Sequence, residues 1–444
     1  MNEQIKQRII QLNNGEIPNG YEKTEFGIFP CDWVKDKAFG DLFDFYGGLG
    51  KSREELGEEG HAYLHYGDLH RGSFNVVSHA QYEHLPKYDV TLKGSEAYLM
   101  EDGDVAFLDA SEDLEGTSRS VLIDNPDNEP FIAGLHVIFG KSKNNSLEKW
   151  YKQYITATDS VRKQFQRLAS GFKVYGVTRE TLPKIQIAYP KSTDEQSKIA
   201  EILMKWDEAI ELYNQYIEKL KQLKSIWLKK MFPKKGERVP EWRFKGFTDA
   251  WEQRKFEDLY CYASEGGTPD TNNSSFYKDG TIPFVKIEDT GKKYIDSTKS
   301  YISVEGLNHS SAWLIPAHNI LFTNGATVGN VAINRIPVAT KQGILGIIPS
   351  KQVTVELMFY LLSSTLFLRE VKSRMATGTF ATIILKNLNQ IPVCIPTNKN
   401  EQNLITDYLS QLDNLITLHQ CKVEKIKAQQ KVLQKYLLNG IVRV

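Results

Sequence analysis

Residues 181–203 read TLPKIQIAYPKSTDEQSKIAEIL, and residues 387–409 read NLNQIPVCIPTNKNEQNLITDYL. At an offset of 206 the two stretches align without a gap. Pro190 meets Pro396, Glu195-Gln196 meets Glu401-Gln402, Ile199 meets Ile405 and Leu203 meets Leu409. The register runs on through Asp207/Asp413, Ile210/Ile416, Leu212/Leu418, Glu218-Lys219/Glu424-Lys425 and Lys229/Lys435. Self-similarity of this length marks a unit that is written twice. Upstream the echoes weaken and the offset drifts, as loops of unequal length on one scaffold require. Trp33 followed by AFGDLF matches Trp251 followed by FEDLY, and Tyr66-Gly67-Asp68 matches Ile287-Glu288-Asp289. Asp104-Val105-Ala106-Phe107 matches Asn319-Ile320-Leu321-Phe322, and Ala169-Ser170-Gly171 matches Ala376-Thr377-Gly378. Gly15-Glu16-Ile17-Pro18 resembles Gly236-Glu237-Arg238-Val239-Pro240. The repeat is therefore cyclic, and residues 1–16 are expected beside the end of the last helix.

Downstream of each proline the apolar residues step by four and three, the spacing of a helix with one seam. In the first copy the seam is Ile199, Leu203, Trp206, Ile210, Tyr213, Ile217, Leu220 and Trp227, interrupted at Lys224. In the second it is Ile405, Leu409, Leu412, Ile416, His419, Val423, Ile426 and Leu433, interrupted at Gln430. Such stripes do not stay in water. The economical solution packs the two helices on each other, antiparallel about a pseudo-twofold axis, with His419 as a packed residue rather than a metal ligand. A helix of about 39 residues spans roughly 58 Å, the rise of about seventeen base pairs of duplex DNA. A rod of that length with a globular domain at each end is a ruler.

The remainder mixes short β-type runs (HAYLHYG, DVAFLDA, HVIFG, TIPFVKI, NILFT, GILGIIP) with helical stretches at Ser146–Arg167 and Thr354–Met375. The fold class is α+β, and the expected organisation is sequential. Residues 1–20 form a helical segment, 21–190 a first module, 191–236 a first long helix and linker, 237–396 a second module and 397–444 a second long helix. At 444 residues, 41% hydrophobic and 25% charged, the chain has the make-up of a globular protein of more than one domain. The apolar runs are short and charge-interrupted, and the polar start lacks a signal-peptide core, so cytoplasmic residence is the default expectation. Cys31, Cys261, Cys394 and Cys421 are scattered without a CxxC pair and read as reduced structural thiols. Lys+Arg and Asp+Glu each total 55, so any basic footprint is local. Glu218–Arg238 carries eight basic and two acidic residues. That density fits either a solvated helix face and linker or a phosphate-tracking face.

Catalytic signatures fail in turn. GLGKS at 48–52 lacks the first glycine of a P-loop, because position 45 is Phe45. There is no GxGxxG and no Asn/Asp-Pro-Pro-Tyr/Phe tetrapeptide, and Pro269-Asp270 is followed by no Asp/Glu-x-Lys in the next forty residues. His61, His65 and His70 share one strand and turn and read as solvent-facing rather than as a metal site. What remains suits recognition of base edges and phosphates, or plain turn chemistry: HYGDLHRGS (65–73), NGATVGN (324–330) and MATGTFAT (375–382). Arg162, Lys163 and Arg167 precede Ser170 and Lys173 in the first copy. Arg369, Lys372 and Arg374 precede Thr377 and Thr379 in the second. Positive charge retained at matching places favours phosphate contact. With Arg71, Lys286 and Asn324, these residues make up the candidate DNA-contacting set.

The arrangement resembles the specificity subunits of type I restriction–modification enzymes over essentially the whole chain. The resemblance rests on the two PxxxxEQxxI helix starts, on Gly266-Gly267-Thr268-Pro269, on the connector FPKKGERVPEWRFKGFTDAWEQRKF and on the closing LLNGIVRV. The first module departs at Gly47-Gly48-Leu49-Gly50, where Thr-Pro is absent. The resemblance implies two target-recognition domains, each reading one half of a bipartite double-stranded DNA site, with the helices setting the spacer. It implies an asymmetric target, because the two modules share few loop residues. It also implies a chain with no catalytic, cofactor or metal site of its own and no membrane association. Two methyltransferase subunits, which hold S-adenosylmethionine and methylate adenine, would dock on it. ATP would belong to the translocase/nuclease subunits that join for cleavage. A self-contained methyltransferase would need the motifs that are missing, and a coiled-coil adaptor would leave the two loop-rich modules unexplained.

Overall fold

A computed structural model describes residues 3–71, 75–89, 96–111, 119–168, 175–375 and 382–444. It divides into two compact units, residues 1–213 with 422–444, and residues 214–421.

In the first unit a five-stranded sheet has the spatial order Phe43–Gly47, Val137–Ser142, Val105–Leu108, Ser120–Asp124, Val76–Ser78. All its pairings are antiparallel except the last, which is parallel. In the second unit the order is Tyr260–Glu265, Ile344–Pro349, Asn319–Thr323, Val331–Asn334, Tyr294–Ile295, again with only the last pairing parallel. Each unit adds a three-stranded sheet with one parallel and one antiparallel pairing. Each also has a two-stranded antiparallel sheet that joins an early strand, Val34–Ala38 or Glu252–Lys255, to the one before the long helix. The central strands Val105–Leu108 and Asn319–Thr323 are buried along their whole length. Strands covered on both faces read as continuous apolar runs rather than alternating ones, which is how VAFL and NILFT read. The two copies are thus one fold, as the repeat implies.

The long helices run Thr193–Lys230 and Lys399–Leu438. Asp194 and Glu195 lie in the first turn of one and Lys229 and Lys230 in its last, charges that complement the helix dipole. The second ends at Gly440, whose φ of 66° closes the C-terminus in the left-handed region. Within each unit the helices run antiparallel. In the first unit Asp207 meets Gln430 and Tyr213 meets Lys422. In the second, Tyr216 meets His419, Lys224 meets Asp413 and Trp227 meets Tyr408. Ile199, Leu203, Ile217, Leu220, Ile405, Leu409, Leu412 and Val423 are buried; Trp206, Ile210, Ile416 and Ile426 are half-buried. His419 packs edge-on against the Tyr216 ring at 4.8 Å.

Four local expectations change. The helical stretch 146–167 is a 3₁₀ turn, Trp150–Tyr154, and then a helix, Asp159–Leu168. Its counterpart 354–375 is two helices, Val355–Leu362 and Thr365–Ser373. Thr158 and Ser364 break them, each accepting a backbone N–H from the residue three ahead, as an N-cap does. Residues 66–71 of the expected loop form a helix, Tyr66–Arg71, started by His65 Nδ1 accepting from the Gly67 N–H at 3.1 Å. His65 is buried rather than solvent-facing, and burial lowers its pKa. Cys31, Cys261 and Cys421 are exposed rather than structural, and Cys394 is half-buried.

Candidate nucleic-acid interface

Each module is fastened to the helix pair by the same four residues. Gln196 is fully buried and donates to the carbonyls of Pro190 (2.8 Å) and Ser146 (2.9 Å), while its own oxygen accepts from Glu148 N (2.7 Å). Gln402 makes the same three bonds to Pro396, Gln352 and Thr354. Glu195 receives a two-pronged fork from Arg443, which also holds Asp32. Glu401 receives the equivalent fork from Arg243 at 2.6 and 2.8 Å, and a bond from Trp251 Nε1 at 3.2 Å. Arg243 lies beyond the first long helix and Arg443 beyond the second, so the cyclic order of the repeat is visible as one ion pair made twice. Arg8, in the helix Glu3–Asn13, donates to the Ile441 carbonyl beyond the second long helix.

Above these anchors a carboxylate sits inside each seam. Asp207 accepts from Tyr154 Oη (2.6 Å), Gln430 Nε2 (2.6 Å) and Asn75 Nδ2 (3.2 Å). Asp413 accepts from Tyr360 Oη at 2.6 Å, with Lys224 Nζ at 2.5 Å and Lys293 Nζ at 3.4 Å. Burial and then the adjacent carboxylate push both phenols far up, so their hydroxyls remain donors. The polar interruptions Lys224 and Gln430 are therefore partners of an acid on the opposite helix. Each bundle of bonds joins the module to both helices at once.

The basic residues divide by this geometry. Lys163 and Arg369 hold one position of equivalent helices, and both are exposed, as are Arg167 and Lys372. None of the four makes an ion pair among the described residues. Arg162 and Lys286 are half-buried. Arg374 is committed to Glu370, which also binds Lys235 at 2.8 Å. Asn324 is buried, its amide donating to the Ile383 carbonyl. Arg71 is the last residue of its helix, while Ser170, Lys173, Thr377 and Thr379 lie outside the described residues. The basic run 218–238 is largely neutralised, with Lys221 on Glu218, Lys230 and Lys234 on Glu241, and Lys235 on Glu370.

The glycine loops are structural. Gly48 N donates to Val137 O and Gly266 N to Ile344 O, which makes Gly48 the counterpart of Gly266. A Cβ on Gly48 would lie 1.9 Å from the Gly134 carbonyl oxygen, and one on Gly266 2.2 Å from that of Thr340. Only glycine admits so close a backbone. Beside Gly47-Gly48 opens a cleft of about 650 Å³, lined by Tyr46, Tyr98, Asp109, His136, Thr178 and Arg179 among others. Burial raises the Asp109 pKa, and His136 opposes that rise. Among the described residues no group of His, Cys, Asp and Glu is placed to hold a metal ion. Nor is any helix long and apolar enough to cross a membrane.

Sequence reasoning missed the cleft and the two seam carboxylates. Asp207 and Asp413 were legible in principle, since both copies keep an acid amid apolar seam residues. His136 and Asp109 have no such signal, because the strands that meet there are distant in sequence.

Comparison with known proteins places this architecture. A model of the type I restriction modification DNA specificity domain matches residues 32–222 and again 248–428. The putative type I restriction enzyme MjaX specificity subunit of Methanocaldococcus jannaschii is 23% identical over 432 residues, 96% of this chain and 97% of that one. The Escherichia coli type I restriction enzyme EcoR124I/EcoR124II specificity subunit is 30% identical over 178 residues, 38% of this chain and 43% of that one. The chain thus aligns with less than half the length of that relative. The type I restriction–modification S subunit from M. genitalium superposes with a TM-score of 0.55 at 15% identity, covering 95% of this chain and 97% of that one, a likeness of fold. With both of its modules matched, the chain belongs to the type I restriction modification DNA specificity domain family.

Proposed function

We propose that this chain is the DNA-reading subunit of a type I restriction–modification complex and performs no chemistry itself. One observation carries the reading. The junctions Gln196/Gln402, Glu195/Glu401, Tyr154/Tyr360 and Asp207/Asp413 are the same in both units, while the exposed turns differ. A scaffold duplicated with its fastenings and diversified at its outer turns suits two half-sites of unlike sequence read by direct contact. Lys163 and Arg167 in one unit, and Arg369 and Lys372 in the other, supply exposed charge for phosphates. In this reading methyltransferase subunits bring S-adenosylmethionine and transfer the methyl group to adenine, and ATP-driven subunits bring cleavage.

The test compares the purified chain alone with the chain assembled on a type I methyltransferase subunit, using genomic duplex DNA and S-adenosylmethionine. Methyl transfer is expected only from the assembly, at a bipartite motif. Transfer by the lone chain, or an assembly that methylates without sequence preference, would contradict the proposal.

A further inference from the structure

The turn that joins Ala133 to Val137 is pinned from both sides. Tyr63 Oη accepts from Leu135 N at 2.8 Å, Tyr66 N donates to the Leu135 carbonyl at 3.2 Å, and Asp109 N donates to the His136 carbonyl at 3.2 Å. His136 stands at its apex with φ of 59°, and its counterpart in the second unit is Gly343, with φ of 92°. The equivalence is fixed by the backbone, since Asn324 N donates to the Gly343 carbonyl as Asp109 N does to that of His136. The fold demands a left-handed residue here, glycine supplies it without strain, and histidine holds it at some cost.

The side chain is held as firmly. Asp109 Oδ1 lies 3.0 Å from His136 Nδ1, and the Tyr66 ring meets the imidazole edge-on at 5.4 Å. A carboxylate only accepts, so Nδ1 is the ring nitrogen that donates to Asp109, and Nε2 is the one left for another partner. The ring is about half exposed and lines the cleft with Arg179 and Tyr98. From this strained, buttressed and open position we infer that His136 reads one base of the half-site recognised by the first module, accepting from an exocyclic amino group, adenine N6 or cytosine N4. Asp109 is the residue that positions it. The inference rests on the DNA-reading function proposed above.

His136→Gly is the decisive variant, because it installs the residue the second unit uses and relieves the strained backbone. Its melting temperature is expected to equal or exceed the parent's. The probe is genomic DNA from cells expressing the complete methyltransferase complex, with methylated positions read by single-molecule sequencing. The expected result is about a tenfold loss of preference at one base pair of one half-site, the other half-site being unchanged. A folded His136→Gly complex whose motif matches the parent's at every position overturns the role of His136 alone. A parent complex with no bipartite motif overturns the DNA-reading function and this role with it.

Discussion

Asp413 is the most exacting place to perturb the junction between module and helices. Its carboxylate faces two ammonium groups, Lys224 at 2.5 Å and Lys293 at 3.4 Å. Lys293 also touches Tyr360 Oη at 2.7 Å and Ser410 Oγ at 3.0 Å, and only 13% of its side chain is exposed. Asp413→Ala strands both cations. Breaking a buried pair from one side costs about 3–5 kcal/mol. Lys224 is 23% exposed and can turn to water, so the lower end, about 3 kcal/mol, applies. The double variant Lys224→Gln/Lys293→Asn instead copies the first unit, where Gln430 and Asn75 attend Asp207. It leaves the acid with hydrogen-bond donors and should cost less than about 1.5 kcal/mol. Burial already lowers the Lys293 pKa. A lysine depressed in the fold destabilises when charged, so the Asp413→Ala loss should shrink as pH rises from 7 towards 10. Thermal unfolding followed from pH 7 to 10 measures both effects. Asp413→Ala melting like the parent, or the double variant melting as low as Asp413→Ala, would refute the reasoning.

Burial pushes the Asp104 carboxyl up to about 6 from 3.8. Its folded pKa exceeds the unfolded one, so its contribution is full below pH 3.8 and is lost as pH rises through about 6. Asp104→Asn, which places the residue found at Asn319, should therefore raise stability at pH 8 by up to about 3 kcal/mol and flatten the change in melting temperature between pH 5 and 8. Leu203→Asp or Leu409→Asp puts an unpaired charge at a fully buried seam position. Either should cost about 4 kcal/mol and weaken assembly with the methyltransferase, as size-exclusion chromatography of the mixture would show. A heptad inserted near Lys221 adds roughly 10 Å of helix and carries Lys224 past Asp413 unless the new turns bulge. Sequencing of methylated DNA should find both half-sites unchanged and the spacer longer by up to about three base pairs.

The fold was legible where one physical rule governed many residues. The seam from Ile199 to Trp227 and its copy named both helices, because an apolar stripe that returns every three and four residues lies on one side only of a helix. The recognition modules were harder. Ser146–Arg167 carries helical composition throughout, and only the cap geometry at Thr158 shows where one turn ends and a new helix begins. His65 looked like a turn residue because its burial depends on a strand pairing that local sequence does not announce. Among the candidate contacts, Lys163 and Arg369 were found by matching charge across the repeat, and both are exposed. Asn324 was chosen for its chemistry and Arg374 for its matching charge, and the structure commits one to Ile383 and the other to Glu370. Side-chain type shows what a residue can bond, and tertiary neighbours decide what it does bond.

The most direct test of the account exchanges residues 21–190 for the first recognition domain of another family member and reads the methylated motif of the assembled complex. One half-site is predicted to change while the other half-site and the spacer stay as they were. A motif unchanged in both halves, or altered in both, would contradict the claim that each module reads its own half of the site.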